Sequence, residues 1–377
     1  MPDTCVTVPT VRNPEAVEAY VENARRHDFD TDRLHFLLVT EDFLDLDAMR
    51  DMLDRLDVSG DVFGGEARDE WFAERGLSEY ADVVPEASHA ETSFGLLWMY
   101  EREEFEYGMF IDDDTAPHES VDFFGEHLAR LDETHEVEHV ASDEYWVNVL
   151  YQNVDEHGLY PRGYPYAAMD ETVETETRES APVVANQGLW TNVPDLDAVR
   201  ILMDGDLRGQ AQTRTDFDDF GEDFVAAPGN YLTVSSMNVS FVREVIPAFY
   251  QMPMDDNRWD IGRFDDIWSG LTLKKAADMR GKAVMSGSPL CEHNKAERST
   301  FDDLNNEVPG LELNEHFWEA LAEAPDAADD YYGAYEAMID ALESHDFSAY
   351  NHAEFVDLVV ETMSDWLAVC RAIDPDR

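Results

Sequence analysis

The chain of 377 residues has very little lysine and few basic residues of any kind. It carries 26 Lys and Arg residues against 84 Asp and Glu residues, which gives a formal net charge of −58 at pH 7. Its four lysines all lie between residues 274 and 295. Because no basic stripe is present to neutralise phosphates along a strand, the sequence excludes nucleic acid as a ligand.

Cysteine and long apolar runs are equally scarce. The three cysteines are Cys5, Cys291 and Cys370, and no Cys-x-x-Cys spacing occurs, so neither a disulfide framework nor a cysteine metal site is indicated. The chain shows no basic leader segment and no stretch of the length that crosses a bilayer. We therefore expect a cytoplasmic protein, peripheral at the inner membrane face only if a partner holds it there.

The acidic residues are spread along the whole chain rather than gathered in a tail. Hydrophobic residues make up 44%, enough for a sizeable buried core, so the charge does not indicate a disordered chain. A partner that prefers negative charge and adaptation to molar salt both account for the excess of acid. The even spread and the lack of lysine favour the second, a halophilic protein.

Apolar segments and helical patterns alternate in the first third of the chain, with Leu34–Thr40 and Tyr107–Ile111 as the clearest strands. This alternation predicts an α/β fold with a mostly parallel sheet and helices on both faces. Thr172–Glu179 and Asp204–Asp223 are polar and are predicted to be surface loops. From Asn314 the pattern is helical, so we predict a main domain of residues 1–313 and a C-terminal helical cap of residues 314–377.

The cap is predicted to contain two helices, Tyr331–Ser344 and His352–Ile373. The second carries Val359, Met363 and Trp366 at the spacing of a helix that faces a core.

Three consecutive acids, Asp112, Asp113 and Asp114, follow the apolar strand directly. Ligands of parallel sheets bind beyond the carboxyl ends of strands. Acids at i and i+2 there bind a divalent metal, Mn²⁺ or Mg²⁺, and the ribose of a nucleotide. The alternative is three solvated acids in a turn. Burial of the preceding strand favours the metal site, with Asp112 and Asp114 as metal ligands and Asp112 and Asp113 at the nucleotide.

The segment Gly262–Gly270 contains Asp265, Asp266 and Trp268. The two carboxylates provide a general base and an anchor for a sugar hydroxyl, with Trp268 as a further contact to the sugar nucleotide. The alternative is a helix that begins at the acids and places Trp268 and Leu271 in the core. Neither interpretation is favoured by the residues alone.

Two further segments carry candidate ligands. In Ser288–Lys295, His293 is a candidate third metal ligand and Lys295 a candidate phosphate ligand. In Tyr160–Tyr166, aromatic residues surround Arg162, a residue type that binds phosphate in a bidentate manner. The alternative for Ser288–Lys295 is an ordinary polar loop, and the alternative for Tyr160–Tyr166 is a tight turn. In each case the residues alone favour this alternative over a ligand site.

In this order the segments resemble the reversibly glycosylated polypeptides, whose active plant members are UDP-arabinopyranose mutases. The most specific matches are Gln187–Ala198 (QGLWTNVPDLDA) and Ile261–Gly270 (IGRFDDIWSG). The other matching stretches are Val8–Asn13, Phe110–Thr115, Asn148–Asn153, Pro161–Tyr166, Met237–Phe241 and Gly287–Ala296.

The resemblance implies a GT-A-type fold, a UDP-sugar substrate and Mn²⁺ at Asp112, Asp113 and Asp114. It also implies an arginine that is reversibly glycosylated, which the Arg-Gly-Tyr-Pro match puts at Arg162. Arg68 and Asp69 stand, as a weak match, where the family's uracil-reading segment is expected. The apolar Phe94–Tyr100 and the acidic Thr40–Asp42 depart from the family's pattern.

Three functions follow as hypotheses. The first is a metal-dependent glycosyltransferase that uses a nucleoside-diphosphate sugar, with a lipid-linked or protein glycan as acceptor. The second is a UDP-sugar mutase that works through a glycosylated Arg162. The third is a sugar-nucleotide-binding subunit without catalysis. The sequence leaves open whether the chain forms homo-oligomers or hetero-oligomers.

Overall fold

A computed structural model describes residues 1–12, 14–86, 88–153, 158–205, 207–254 and 257–374, with only the backbone of Asn153 and Asp204. Asn13, residue 206 of the polar loop and residues 375–377 of the expected cap lie outside the described residues. Among the helices of the described part, none is both long and apolar enough to cross a membrane.

Eleven strands form one sheet across the described residues. The strands are β1 (Thr4–Pro9), β2 (Leu34–Val39), β3 (Ser59–Phe63), β4 (Tyr107–Ile111), β5 (Thr115–Pro117), β6 (Glu136–Ser142), β7 (Val173–Glu179), β8 (Val183–Asn192), β9 (Phe224–Ala226), β10 (Asn238–Val242) and β11 (Ala283–His293). The helices are α1 (Glu15–Arg26), α2 (Leu46–Leu56), α3 (Gly65–Glu74), α4 (Thr92–Tyr100), α5 (Phe123–Arg130), α6 (Ala198–Asp204), α7 (Asp265–Met279), α8 (Thr300–Ala322), α9 (Tyr331–Ser344) and α10 (Glu354–Ile373).

The sheet runs in the order β3-β2-β1-β4-β10-β8-β11-β9-β6-β7, and β5 pairs with β11. The pairs β3-β2, β2-β1 and β1-β4 are all parallel, whereas β10 is antiparallel to both of its neighbours. The direction of winding reverses between β1 and β4. In such sheets the crevice at the carboxyl ends of the two strands is the ligand site, and here it lies beside Thr10 and Asp112.

Helices cover both faces of the parallel half. Neighbouring residues of β2 point to opposite faces: His35 stacks on Trp98 of α4 at 4.9 Å, and Phe36 meets Phe124 of α5 at 6.4 Å between ring centroids. At Gly95 a Cβ atom would lie 2.3 Å from Thr7 Oγ1, so glycine lets α4 approach β1 closely. This arrangement confirms the expected α/β fold with helices on both faces of the sheet.

The C-terminal helix α10 packs through an aromatic residue against the segment that follows β10. Trp366 of α10 stacks on Tyr250 with 4.6 Å between ring centroids, and its Nε1 donates to Pro247 O at 3.2 Å. Val359 and Met363 are buried, as their spacing predicts. The bounds of α9 agree with the prediction, and α10 begins two residues later than predicted.

Two sequence-based expectations need correction. Thr172–Glu179 is not a loop, because Val173–Glu179 pairs antiparallel with β6 as an exposed edge strand. Charged residues are typical of such edges. The C-terminal helical run begins at Thr300, not at Asn314, because α8 continues through Pro309 and Gly310. The expected boundary between residues 313 and 314 lies inside this helix, and the division into two units stays a prediction.

Candidate functional site

A cavity of about 430 Å³ opens at the carboxyl ends of β1 and β4. It collects residues from all four segments in which the sequence placed candidate ligands, although these residues lie as far apart in the chain as Asp112 and Lys295. The lining includes Val11, Arg12, His89, Asp112, Asp114, Arg162, Asp195, Arg263, Asp265, Asp266, His293, Lys295 and Arg298.

The acidic triplet divides its side chains between two environments. Asp112 and Asp114 line the cavity. Asp113 accepts a hydrogen bond from Thr10 Oγ1 at 2.7 Å and forms an ion pair with Arg12. Asp113 therefore ties the segment after β1 to the end of β4, and it is not among the residues that line the cavity. Burial raises the pKa of Asp112 despite the opposing effect of His89.

His293 reaches the triplet because β11 pairs antiparallel with β5, which sets His293 opposite Thr115. Its Nδ1 lies 2.7 Å from Val193 O, a contact that requires a proton on Nδ1 and leaves Nε2 as the lone-pair nitrogen. That Nε2 lies 3.9 Å from Asp114 Oδ1. The ring is thus oriented as in metal-binding histidines.

These donors suit a divalent cation. Two carboxylates and an imidazole nitrogen are a donor set that Mn²⁺ accepts. No three His, Cys, Asp or Glu side chains of the described residues are close enough together to hold an ion by themselves. Mg²⁺ in nucleotide sites is commonly bound by one or two carboxylates together with substrate phosphates. Asp112 and Asp114 provide the two carboxylates of this mode, and His293 Nε2 is a further donor beside Asp114.

Arg162 is buried, and its guanidinium makes four hydrogen bonds and one further ion-pair contact. Nε and Nη2 meet Asp195 Oδ2 at 3.1 and 3.0 Å, and Nη1 and Nη2 meet the two oxygens of Asp266 at 3.0 and 2.9 Å. The remaining Nη1 proton goes to Arg263 O. Burial disfavours the charged guanidinium, but Asp195 and Asp266 outweigh it and hold the pKa of Arg162 well above its usual value.

Two residues near Arg162 have backbone conformations with positive φ. Gly163 has a left-handed φ of 83°, and a Cβ atom there would lie 2.4 Å from Ile267 of α7. Arg263, whose carbonyl receives the Arg162 proton, is held at φ 66°, an uncommon conformation for a residue with a side chain.

Asp265 and Asp266, the first two residues of α7, have different partners. Asp266 also accepts from the backbone N–H groups of Ser236 at 3.4 Å and Ile267 at 3.0 Å. Asp265 Oδ2 lies 2.9 Å from His89 Nδ1. Burial acts to raise the pKa of Asp265, but His89 and then Arg162 lower it below its usual value.

His89 was missed in the sequence. Its Nε2 lies 3.5 Å from Asp112 Oδ1, so the ring bridges the acidic triplet and α7. Burial disfavours the charged ring, but Asp112 and Asp265 outweigh it and hold the pKa of His89 well above its usual value. No local pattern points to this residue, because its partners lie 23 and 176 residues away.

Three cations border the cavity on the side of α8. The Lys295 ammonium is buried and has no hydrogen-bond partner in the described part of the chain. Burial lowers the pKa of Lys295 to about 8. Arg263 and Arg298 share Asp303, at 3.5 and 2.9 Å. Of these arginines, Arg263 belongs to the Gly262–Gly270 segment, and Arg298 has no signal in the sequence.

Arg68 and Asp69 do not line the cavity. Arg68 is buried and forms ion pairs with Glu41 at 3.1 Å and Glu91 at 3.2 Å, near the carboxyl end of β2. Asp69 is exposed. Their role in binding the nucleotide base stays a prediction.

Trp268 belongs to the core and not to the cavity. It is fully buried, its ring stacks on Phe317 at 4.1 Å, and its Nε1 donates to Asn314 Oδ1 at 3.1 Å. No face of the ring is left for a ligand. The alternative interpretation of this segment, a helix with Trp268 in the core, replaces the expected contact with the sugar nucleotide.

The family described as "Reversibly glycosylated polypeptide" matches residues 76–375. Among curated proteins, probable UDP-arabinopyranose mutase 1 of Pisum sativum is 33% identical over 180 residues, 47% of this chain and 43% of that protein. UDP-arabinopyranose mutase 1 of Arabidopsis thaliana is 32% identical over 180 residues, 47% of this chain and 44% of that protein. The chain thus spans less than half the length of these relatives.

Two solved structures are similar to nearly all of this chain. TarS 1–349 of S. aureus in complex with UDP-GlcNAc has a TM-score of 0.36 at 12% identity and covers 98% of this chain and 74% of its own. The mannosyltransferase PcManGT of Pyrobaculum calidifontis in complex with GDP-Man and Mn²⁺ has a TM-score of 0.37 at 12% identity, over 100% of this chain and 88% of its own.

Proposed function

Because the chain belongs to the reversibly glycosylated polypeptide family, we propose that it is an enzyme that transfers a glycosyl group from a nucleoside-diphosphate sugar, a UDP sugar, to an acceptor hydroxyl. One observation carries this proposal. A single cavity joins the Asp112 and Asp114 carboxylates to the buried, unpartnered Lys295 ammonium. Carboxylates that suit a divalent metal ion, together with an unpaired ammonium group, form a cavity that suits the negative charge of a diphosphate.

Asp112, Asp114 and His293 would hold the divalent cation, Mn²⁺ or Mg²⁺. When bound, that cation neutralises the charge that grows on the leaving diphosphate. Lys295 adds a positive charge of its own to the same cavity and binds the diphosphate directly. Because Lys295 is desolvated, its attraction for a phosphate oxygen is stronger than that of an exposed lysine.

The acceptor hydroxyl needs a base, and the two carboxylates at the start of α7 are the candidates. Asp266 has both oxygens engaged by Arg162. Asp265 lines the same cavity and has a lowered pKa, so it is a carboxylate at neutral pH. We assign the proton transfer to Asp265 and the positioning of Asp266 to Arg162.

A second candidate function is a UDP-sugar mutase, and the names of the curated relatives favour it. That reaction would use Arg162 as the residue that carries the sugar. To act as a nucleophile, Arg162 must lose a proton and break at least one of its hydrogen bonds. Its raised pKa and its full set of partners oppose both steps, which is why the transferase is the first proposal.

Intact-mass spectrometry tests the two candidates together. The purified protein in high KCl with Mn²⁺ is incubated with a panel of UDP sugars, and the release of UDP is followed in parallel. Steady release of UDP with unchanged protein mass supports the transferase, with lipid-linked and protein glycans as the acceptors to try next. A sugar on Arg162 that added UDP removes would establish the mutase instead. Binding without UDP release or added mass would indicate a subunit without catalysis and would refute both.

A further inference from the structure

His89 lies in a short turn of 3-10 helix just before α4, with its ring between two carboxylates of the cavity. Nδ1 is 2.9 Å from Asp265 Oδ2, whereas Nε2 is 3.5 Å from both Asp112 Oδ1 and Ser236 Oγ. The contact with Asp265 is therefore a hydrogen bond of normal length. The contacts of Nε2 lie at the outer limit.

The two neighbouring carboxylates are held in different ways. Asp266 receives both Nη groups of Arg162 and two backbone N–H groups, which occupies both of its oxygens. Among the described residues, Asp265 accepts one side-chain hydrogen bond, from His89, and that bond goes to Oδ2. Asp265 Oδ1 is the oxygen left to meet a ligand in the cavity.

We propose that His89 is a positioning residue that fixes the Asp265 carboxylate as the base of the reaction. This inference rests on the proposed function and deepens it. The acceptor O–H proton passes to Asp265 Oδ1, and the acceptor oxygen bonds to the anomeric carbon. The bond from that carbon to the diphosphate oxygen breaks, and its electron pair leaves on the diphosphate. His89 donates from Nδ1 throughout and does not touch the substrate.

Because the two ring nitrogens of His89 contact different carboxylates, substitutions that replace one nitrogen at a time test which contact matters. An asparagine carries its amide nitrogen where histidine has Nδ1, and a glutamine carries it near Nε2. His89→Asn therefore keeps a donor for Asp265 and loses the contact with Asp112, whereas His89→Gln does the reverse. The two variants have similar polarity, so each is the control for the other.

Turnover is measured as the release of UDP from the UDP sugar with the highest wild-type rate. We expect kcat to fall about 100-fold or more in His89→Gln and His89→Ala, as for loss of a positioned base, with KM changed less than about threefold. His89→Asn should recover at least about tenfold over His89→Gln. If His89→Gln is as active as His89→Asn, or more active, the inference is wrong.

A double-variant cycle tests whether His89 acts through Asp265. In an Asp265→Asn background, His89→Ala should cause no further loss of kcat, because the carboxylate that it positions is already gone. A full additional loss in the double variant would place the role of His89 elsewhere and overturn the inference.

Nitrogen-15 NMR of the histidine side chains separates this inference from the proposed function. The His89 resonances are assigned by their absence in His89→Asn, and the Nδ1 resonance should shift in Asp265→Asn but stay in place in Asp51→Asn. If the wild type releases no UDP from any UDP sugar, the proposed transfer fails. An Nδ1 resonance that ignores Asp265→Asn overturns the inference whatever the turnover.

Discussion

At the scale of single residues, the acidic triplet works as two units. Asp112 and Asp114 face the cavity, while Asp113 joins Thr10 and Arg12. The triplet lies in the turn between β4 and β5, in which the Thr115 N–H donates to Asp112 O at 3.3 Å. Only the outer two acids are placed to meet a cation together with His293.

We therefore expect Asp112→Asn and Asp114→Asn each to lose most Mn²⁺-dependent turnover. The reason is the loss of a ligand to a cation that contributes several kcal/mol of charge stabilisation, on the order of a 100-fold or greater effect. UDP release and Mn²⁺ affinity by titration calorimetry provide the measurement. Asp51→Asn, an exposed acid of α2, is the control. Unchanged Mn²⁺ affinity in both site variants would contradict the assignment.

Lys295 gives a second prediction at this scale, for binding rather than turnover. Lys295→Met should weaken the binding of UDP about 10- to 100-fold, the size expected for one charge-assisted hydrogen bond. Calorimetric titration of UDP in the presence of Mn²⁺ measures it. Lys282→Met is the matched control, since Lys282 is only half-buried and does not line the cavity. Equal affinities in the two variants would remove Lys295 from the site.

At the scale of elements, one buried histidine of α5, His127, forms hydrogen bonds with strands in the middle of the sheet. His127 Nε2 lies 2.8 Å from Asn238 Oδ1, and Nδ1 lies 3.0 Å from Asn186 Nδ2 and 2.9 Å from Ser240 Oγ. These partners belong to β8 and β10, the strands beyond β4. Burial lowers the pKa of His127 to about 3, so the ring is neutral in the folded protein.

Because His127 is buried in its neutral form, we expect the folded protein to lose stability in acid. The unfolded chain binds a proton at His127 near pH 6.5, whereas the folded protein does not until about pH 3. The contribution of His127 to the free energy of unfolding is therefore fully present above about pH 6.5. It falls as the pH drops, by about 2 kcal/mol at pH 5. Urea unfolding of the wild type and of His127→Gln at pH 7.5 and pH 5 measures it.

The wild type and His127→Gln contain the same other acid-sensitive groups. The difference between their losses of stability from pH 7.5 to pH 5 therefore reports on His127. The wild type should lose about 2 kcal/mol more than His127→Gln between pH 7.5 and pH 5. Equal losses in the two proteins would show that His127 is not held neutral in the fold.

At the scale of the whole molecule, the formal charge of −58 predicts that the stability of the fold depends on salt. At 0.1 M salt the screening length is about 10 Å, so the carboxylates repel one another across the surface. At 1 M it is about 3 Å, and only adjacent charges interact. Self-repulsion destabilises a compact state of high net charge.

We expect the urea midpoint of unfolding to rise as KCl is raised from 0.1 M to 2 M. Urea is the denaturant of choice, since guanidinium chloride is itself a salt. Sucrose at matched osmolality is the control, because it favours the folded state without screening charge. A midpoint that is independent of KCl, or that falls, would contradict the interpretation of the acidic composition as an adaptation to salt.

The sequence by itself determined several of the elements and the segments that carry the site. Strands β2 and β4 and helices α9 and α10 follow from local apolar patterns, which are preserved in the fold. Asp112, Asp114, Arg162, Asp265, Asp266, His293 and Lys295 were all named from their segments, and the cavity brings them together.

Only the tertiary structure decided how those residues are paired. His89 meets Asp265 across 176 positions and Arg162 meets Asp266 across 104, separations at which a single sequence carries no pattern. The edge strand β7 depends on pairing with β6, and the burial of Trp268 depends on the packing of α8. Periodicity records which face a residue presents, whereas a contact between distant segments depends on the packing of the whole chain.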